Sequence, residues 1–216
     1  MKSVTNPFAM GLQANGMPGW LLVLATVLSV TIALVSYRYL GWAAEVPSQI
    51  QTNAFVRPWL TIHAAAAATA LLLGPPQFFQ GLRARRPAFH RWGGRLYVAG
   101  CMIGGVSGLV LACGASTGSA TIIGFGTLAV AWVVSTSLAW RRALQRRIGD
   151  HKRWMIRSFA LTFAAVTLRI YLTILEVFEF PFVPGYQAIS FLCWIPNLLL
   201  AEWYIRREKR VRKSVV

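Results

Sequence analysis

The chain has few charged residues and very few acidic ones. Charged residues fill 13% of its 216 positions, and only 6 aspartates and glutamates oppose 22 lysines and arginines. Soluble domains carry about 25% charged residues, whereas hydrophobic residues reach 56% here. This composition excludes a soluble globular domain and predicts a protein that resides in a membrane.

Cysteine is also scarce, with three residues in the whole chain. Cys101, Cys113 and Cys193 lie within or at the ends of apolar segments, and their spacing fits neither a metal site nor a disulfide framework. We expect small core residues at these positions, with a bridge between Cys113 and Cys193 as the alternative. No glycine-rich loop follows a strand pattern, which disfavours nucleotide hydrolysis.

The formal charge of +16 would indicate nucleic-acid binding in a hydrophilic chain. The basic residues here fall between long apolar runs, so we expect no nucleic-acid partner. We expect the basic connections to bind anionic lipid headgroups, at roughly 1 kcal/mol per charge near the surface. An anionic soluble partner is the alternative, and a protein partner or a homo-oligomer stays open.

Six apolar segments are long enough to cross a bilayer. A spanning helix needs about 20 mostly apolar residues, and the runs do not alternate as barrel strands would. The sequence predicts an all-α fold: one polytopic membrane bundle over residues 1–216, with six transmembrane helices. The predicted helices cover residues 20–37, 58–79, 96–115, 121–140, 155–178 and 188–205, and a basic cytoplasmic tail covers 206–216.

The basic residues predict the orientation of these helices. Of the 22 lysines and arginines, all but Lys2, Arg38, Arg57 and Arg169 lie in the second-to-third connection, the fourth-to-fifth connection and the tail. Because short basic loops remain cytoplasmic, the sequence predicts both termini in the cytoplasm. Cleavage of the first apolar run as a signal peptide is the alternative.

Ionisable residues inside apolar segments are the natural candidates for function. Each costs at least about 2.5 kcal/mol within the hydrocarbon and usually faces protein. They are His63, Arg169, Glu176 and Glu202. Polar residues recur at helical spacing along the fifth segment, which predicts a stripe that faces protein or water. The stripe consists of His151, Ser158, Thr162, Arg169, Thr173 and Glu176. We expect Glu176 to be the counter-charge of Arg169; a contact of Arg169 with a substrate, quinone or propionate is the alternative.

Small residues surround His63 and recur in the next apolar segment. Gly100, Gly104 and Gly108 form a G-x-x-x-G-x-x-x-G pattern, which lets helix backbones approach closely. The pattern predicts close packing of the second and third helices, with a groove that admits a macrocycle as the alternative.

Two basic connections share a motif. His90-Arg91-Trp92-Gly93-Gly94-Arg95 enters the third helix, and His151-Lys152-Arg153-Trp154-Met155-Ile156-Arg157 enters the fifth. In each, an arginine follows a tryptophan by three residues. This pairing is typical of interfacial anchoring, but anchoring does not account for two histidines at matching depth.

These motifs, together with Gly74-Pro75-Pro76-Gln77-Phe78, resemble a bacterial family of predicted membrane proteins, the domain-of-unknown-function family 2306, over roughly residues 59–206. The resemblance implies the bacterial inner membrane and supplies no activity. More distantly, His-Arg-x-x-Gly at the start of a membrane helix looks like the transmembrane b-type cytochromes. A b-type haem needs one or two neutral imidazoles from neighbouring helices, so His90 and His151 are candidate ligands of a haem iron.

Two interpretations follow. The first is an inner-membrane protein with a cofactor-binding polar site, linked to redox chemistry through haem b or a quinone and built from His63, His90, His151, Arg169 and Glu176. The second is a non-enzymatic transporter or membrane accessory subunit, in which Arg169 pairs with Glu176 or contacts an anionic solute. The sequence shows no convincing nucleophile and base pair, so catalytic residues remain unassigned.

Overall fold

The computed structural model describes residues 19–41 and 51–213. Within these ranges every regular element is helical, as the sequence predicts. The α-helices are α1 (Gly19–Ser36), α2 (Trp59–Leu73), α3 (Gln80–Arg85), α4 (Pro87–Cys113), α5 (Ser119–Leu144), α6 (Ile148–Thr162), α7 (Ala164–Val177), α8 (Phe182–Leu192) and α9 (Ile195–Lys213). Two 3₁₀ turns, Tyr37–Leu40 and Pro75–Phe78, follow α1 and α2.

Five stretches of the described chain are helical, long and apolar enough to cross a membrane. They are Gly19–Leu40, Pro87–Cys113, Ser119–Leu144, Ile148–Val177 and Phe182–Glu208. The predicted second helix, residues 58–79, corresponds to α2 and the 3₁₀ turn after it. The third helix begins at Pro87, well before position 96, because proline suits the first helical turn.

α2 and α4 lie antiparallel and in close contact. A Cβ atom on Gly100 would lie 2.8 Å from the carbonyl oxygen of Ala66, and one on Gly104 would lie 3.3 Å from the backbone nitrogen of Ala67. Only glycine permits so close an approach of the two backbones. The predicted packing of the second and third helices is therefore confirmed.

Two of the long apolar stretches are interrupted near their middles. α6 ends at Thr162 and α7 begins at Ala164, while α8 ends at Leu192 and α9 begins at Ile195. Pro196 explains the second break, because it lacks an N–H and its ring displaces the carbonyl of residue 192. At the first break, the Thr162 hydroxyl donates to the Ser158 carbonyl at 2.9 Å, a back-bond that bends helices.

Asn197 joins the two breaks. Its Nδ2 donates to the carbonyl oxygens of Ala160, at 3.3 Å, and Cys193, at 3.1 Å. The Thr167 hydroxyl donates to the same Cys193 carbonyl at 2.5 Å. Interrupted helices are tolerated within a bilayer where side chains donate to backbone carbonyls near the break, and these bonds do so for Ala160 and Cys193.

Candidate functional site

A cavity of about 800 Å³ opens at the end of the bundle away from the basic connections. Its position follows from the chain path, because the start of α2, the end of α4 and the end of α7 meet there. Two bonds tie the loops of this end together. The Ala54 N–H donates to the Gly114 carbonyl at 3.0 Å, and Gln187 Nε2 donates to the Thr117 carbonyl at 2.7 Å.

The cavity wall is mainly apolar and contains a few polar groups. Phe125, Leu128 and Trp132 come from α5, and Leu168 and Leu172 come from α7. Three of the predicted site residues, His63, Arg169 and Glu176, also line the cavity. The combination of apolar wall and few polar groups is typical of sites for small organic ligands.

Arg169 reaches the cavity from α7 and is half-buried. Its Nη1 donates to the Ala165 carbonyl at 2.8 Å, and its Nη2 donates to the Ser36 hydroxyl at 2.7 Å. The expected ion pair with Glu176 is not formed, and Glu176 is exposed. Side chains on a helix lean towards its N-terminus, so Arg169 extends away from Glu176, which lies about 10 Å further along the axis.

Most carboxylates of the described chain are paired at the opposite end of the bundle. Asp150 pairs with Arg147 and Arg153, Glu202 pairs with Arg157, and Glu208 pairs with Lys152. Glu176 and Glu179 line the cavity and are exposed, and neither forms an ion pair with a described residue. Arg169 therefore has only neutral hydrogen-bond acceptors among the residues that the structure describes.

His63 is held in one orientation by the backbone of α4. Its Nδ1 lies 2.8 Å from the Gly104 carbonyl oxygen. A carbonyl can only accept, so Nδ1 carries the proton, and the neutral ring offers Nε2 as an acceptor. A Cβ on Gly108 would lie 3.0 Å from the ring, so glycine at this position makes room for the imidazole beside the cavity.

His90 and His151 lie at the basic end, away from the cavity. His151 Nδ1 lies 2.9 Å from the Ala139 carbonyl oxygen. His90 Nδ1 is buried and has no hydrogen-bond partner among the described residues. His90 and His151 precede Tyr97 and Ser158 by seven residues each. The hydroxyl oxygens of Tyr97 and Ser158 lie 2.8 Å apart, so the two histidines lie at a similar depth. The five predicted site residues are thus divided between the two ends of the bundle.

The interfacial motif has the expected geometry. The guanidinium carbon of Arg95 lies 4.7 Å from the ring centroid of Trp92, and that of Arg157 lies 4.5 Å from Trp154. These cation–π contacts place each tryptophan and arginine on one helix face, as anchoring at a headgroup layer requires.

The described chain contains no cluster of three or more histidine, cysteine or acidic side chains that could bind a metal ion. The three cysteines are free thiols, so the alternative of a Cys113–Cys193 bridge is wrong. Cys101 and Cys193 are buried, as expected, whereas Cys113 is exposed.

A buried hydroxyl cluster forms the deepest polar part of the bundle. The Tyr97 hydroxyl lies 2.8 Å from Ser158 Oγ and 2.9 Å from Thr162 Oγ1. Trp132 Nε1 donates to Thr162 Oγ1 at 2.9 Å, and Thr136 Oγ1 lies 2.7 Å from Ser158 Oγ. Trp132 and Thr162 also line the cavity, so the cluster reaches the cavity through these two residues.

Two of the five residues of this cluster were identified from the sequence. Ser158 and Thr162 belong to the polar stripe of the fifth segment, but Tyr97, Trp132 and Thr136 were not identified. One feature of the sequence points to Tyr97. It precedes Gly104 by seven residues and therefore lies on the same face of the helix, which is predicted to pack against another helix.

Comparison with known proteins gives one match. Residues 60–205 match the model of the family described as predicted membrane protein, DUF2306. Neither the curated proteins nor the solved structures contain a match to the chain.

Proposed function

Because the chain belongs to the DUF2306 family of predicted membrane proteins, we propose that it is a bacterial inner-membrane protein that binds a small amphipathic anion in its intramembrane cavity. It crosses the bilayer six times, with both termini in the cytoplasm. In this role it acts as a transporter or as an accessory subunit rather than by chemical conversion of the ligand.

The sixth crossing is supported by the path of α2 and the turn after it. The 15 residues of α2 rise about 22 Å and the four residues of the 3₁₀ turn about 8 Å, close to the thickness of the hydrocarbon. The turn continues along α4, since a Cβ on Gly93 would lie 2.8 Å from Gln77 Nε2.

Reporter fusions test the topology. Fusions after residues 145 and 213 should report the cytoplasm, and a fusion after residue 116 should report the opposite side of the membrane.

One observation carries the proposal for the ligand. Arg169 presents a guanidinium to an apolar cavity, and its hydrogen bonds within the described chain go to neutral acceptors only. An uncompensated charge at membrane depth costs at least about 2.5 kcal/mol. A bound anion would give the guanidinium a charged hydrogen-bond partner, and Phe125, Trp132 and Leu168 offer apolar surface to the rest of such a ligand.

Octanoate is a suitable probe, because it combines a carboxylate with a short hydrocarbon chain. We expect wild-type protein in nanodiscs of neutral lipid to bind octanoate. Arg169→Gln should weaken binding by about tenfold to a hundredfold, the equivalent of a charged hydrogen bond worth roughly 1.5–3 kcal/mol. Arg38→Gln is the matched control, because Arg38 also lines the cavity but is exposed.

The natural ligand can be sought in the purified protein itself. Native mass spectrometry of protein extracted from membranes should show a bound acidic amphiphile that the Arg169→Gln variant loses. Recovery of a quinone instead would favour the redox interpretation. Absence of bound molecules together with no affinity for octanoate would contradict the proposal.

A second candidate is a b-type haem held by His90 and His151. The support is the bond from His151 Nδ1 to the Ala139 carbonyl, because a histidine that ligates a metal usually donates its other ring N–H in this way. The nearby arginines would suit the propionates. Bound haem would supply electron transfer; the chain would orient the two rings. An absorbance spectrum of the purified protein tests this candidate through its Soret band.

A further inference from the structure

We infer that anion binding at Arg169 is coupled to the uptake of one proton by His63, so that the cavity is a site for weak acids. This inference rests on the proposed function, since it concerns the same cavity. It adds a second recognition group and restricts the ligand to amphipathic molecules with a carboxylic acid or a similarly weak acid group.

The orientation of His63 leaves one ring atom for the ligand. Nδ1 is held on the Gly104 carbonyl, and the glycine at 108 makes room for the ring. A change of protonation can therefore occur only at Nε2. When Nε2 is protonated, the ring donates from both nitrogens, to Gly104 on one side and to a ligand oxygen on the other.

Arg169 opposes protonation of His63 in the empty cavity, and the two carboxylates of the wall, Glu176 and Glu179, are exposed. Arg169 comes from α7, and Arg38 and Tyr39 come from the turn after α1; the other titratable groups of the wall are Glu176, Glu179, Tyr186 and Cys193. α4 and α5 contribute no ionisable side chain to the described wall. A second cation beside Arg169 is unfavourable in these apolar surroundings, whereas a carboxylate between Arg169 and His63 stabilises the imidazolium.

The coupled step balances in protons and charge. If the neutral acid enters, its O–H bond breaks and an N–H bond forms at His63 Nε2, while the carboxylate binds Arg169. If the carboxylate enters, the proton comes from water, and the final state is the same. The occupied site carries the same net charge as the empty site, because the ligand charge and the added proton cancel, which lowers the cost of burying an anion.

Isothermal titration calorimetry measures this coupling directly. Wild-type protein in nanodiscs of neutral lipid is titrated with octanoate in phosphate and in Tris, two buffers with different heats of ionisation. We expect an uptake of about one proton per octanoate between pH 7 and 8. We also expect the Kd for octanoate to rise by up to tenfold per pH unit, as linkage requires for one proton. Octanamide, the neutral analogue, should bind without proton uptake.

Two variants distinguish the roles of His63 and His151, which both bond to a backbone carbonyl through Nδ1. His63→Gln should reduce the proton uptake to near zero and retain binding that depends on Arg169. His151→Gln is the matched control, since its Nδ1 also bonds to a carbonyl but the ring lies outside the cavity; uptake should be unchanged.

The outcomes distinguish this inference from the proposed function. Octanoate binding that depends on Arg169 but takes up no proton in the wild-type protein overturns the inference and leaves the proposed function intact. Equal uptake in wild type and His63→Gln also overturns it. If the wild-type protein does not bind octanoate at any pH and native mass spectrometry shows no bound acidic amphiphile, both fail. The pH profile of the wild type remains decisive if His63→Gln does not fold.

Discussion

Arg169 donates from Nη2 to the hydroxyl of Ser36, 2.7 Å away and 133 positions earlier in the chain. This bond joins α7, which carries one wall of the cavity, to the last residue of α1. Ser36 in turn donates its only hydroxyl proton to the Ile32 carbonyl at 2.7 Å, so its oxygen can only accept from Arg169. The Arg169 guanidinium is thereby directed towards α1 and away from Glu176.

Ser36→Ala should lower the stability of the protein by about 1.5–3 kcal/mol, because it removes a hydrogen bond to a charged group that is half-buried. The measurement is the free energy of unfolding in detergent. Thr26→Ala is the control, since its hydroxyl bonds only to the Leu22 carbonyl of its own helix. Equal effects of the two substitutions would contradict a role for the Arg169–Ser36 bond.

Arg169 and Glu176 should behave as independent residues in a double-mutant cycle. Single and double substitutions to glutamine should add to within about 0.3–0.5 kcal/mol, since the two groups form no ion pair. Arg157 and Glu202, which do pair, are the positive control and should show a larger interaction energy. A similar interaction energy for Arg169 and Glu176 would show that they pair in the membrane.

Tyr97→Phe should destabilise the bundle by about 1–3 kcal/mol. The tyrosine is fully buried, and loss of its hydroxyl leaves Ser158 and Thr162 with fewer partners. Thermal unfolding in detergent measures the effect. Tyr39→Phe serves as a control for the loss of a tyrosine hydroxyl in a less buried position, where Arg38 donates to it. If Tyr97→Phe leaves the thermal stability unchanged, the hydroxyl cluster does not contribute to the stability of the bundle.

Gly100→Ala should disturb the contact of α2 with α4 and cost about 1–3 kcal/mol, the usual range for overpacking. The added methyl would lie 2.8 Å from a backbone oxygen, which cannot move without a shift of the helix. Gly126→Ala is the matched control, because its methyl would have its nearest contact at 3.8 Å from the Leu109 side chain. The free energy of unfolding by urea in mixed micelles should be lower for Gly100→Ala than for Gly126→Ala. Equal stability of the two variants would show that α2 and α4 can move apart without cost.

If haem co-purifies, His90→Ala and His151→Ala should each abolish the Soret band, and His63→Ala should retain it. The reason is that His90 and His151 both lie at the basic end of the bundle, whereas His63 lies beside the cavity at the other end. The measurement is the absorbance spectrum of each of the three purified variants. Loss of haem in the His63 variant alone would refute this assignment of ligands.

The sequence by itself determined the helical class and the approximate positions of the membrane segments. Both depend on a local property, the length and composition of each apolar run. The contact of Gly100 with α2 could be predicted for the same reason, because a surface of small residues has few other uses in a helix.

Tertiary structure decided the partner of Arg169, the breaks in the last two long helices and the cavity. Ser36 is 133 positions from Arg169, and no periodicity within either helix indicates that their side chains meet. The hydroxyl cluster around Tyr97 likewise draws on three helices. Such groups come together only when the helices pack, because the direction of each side chain and the identity of its neighbour depend on rotations between helices that no local pattern encodes.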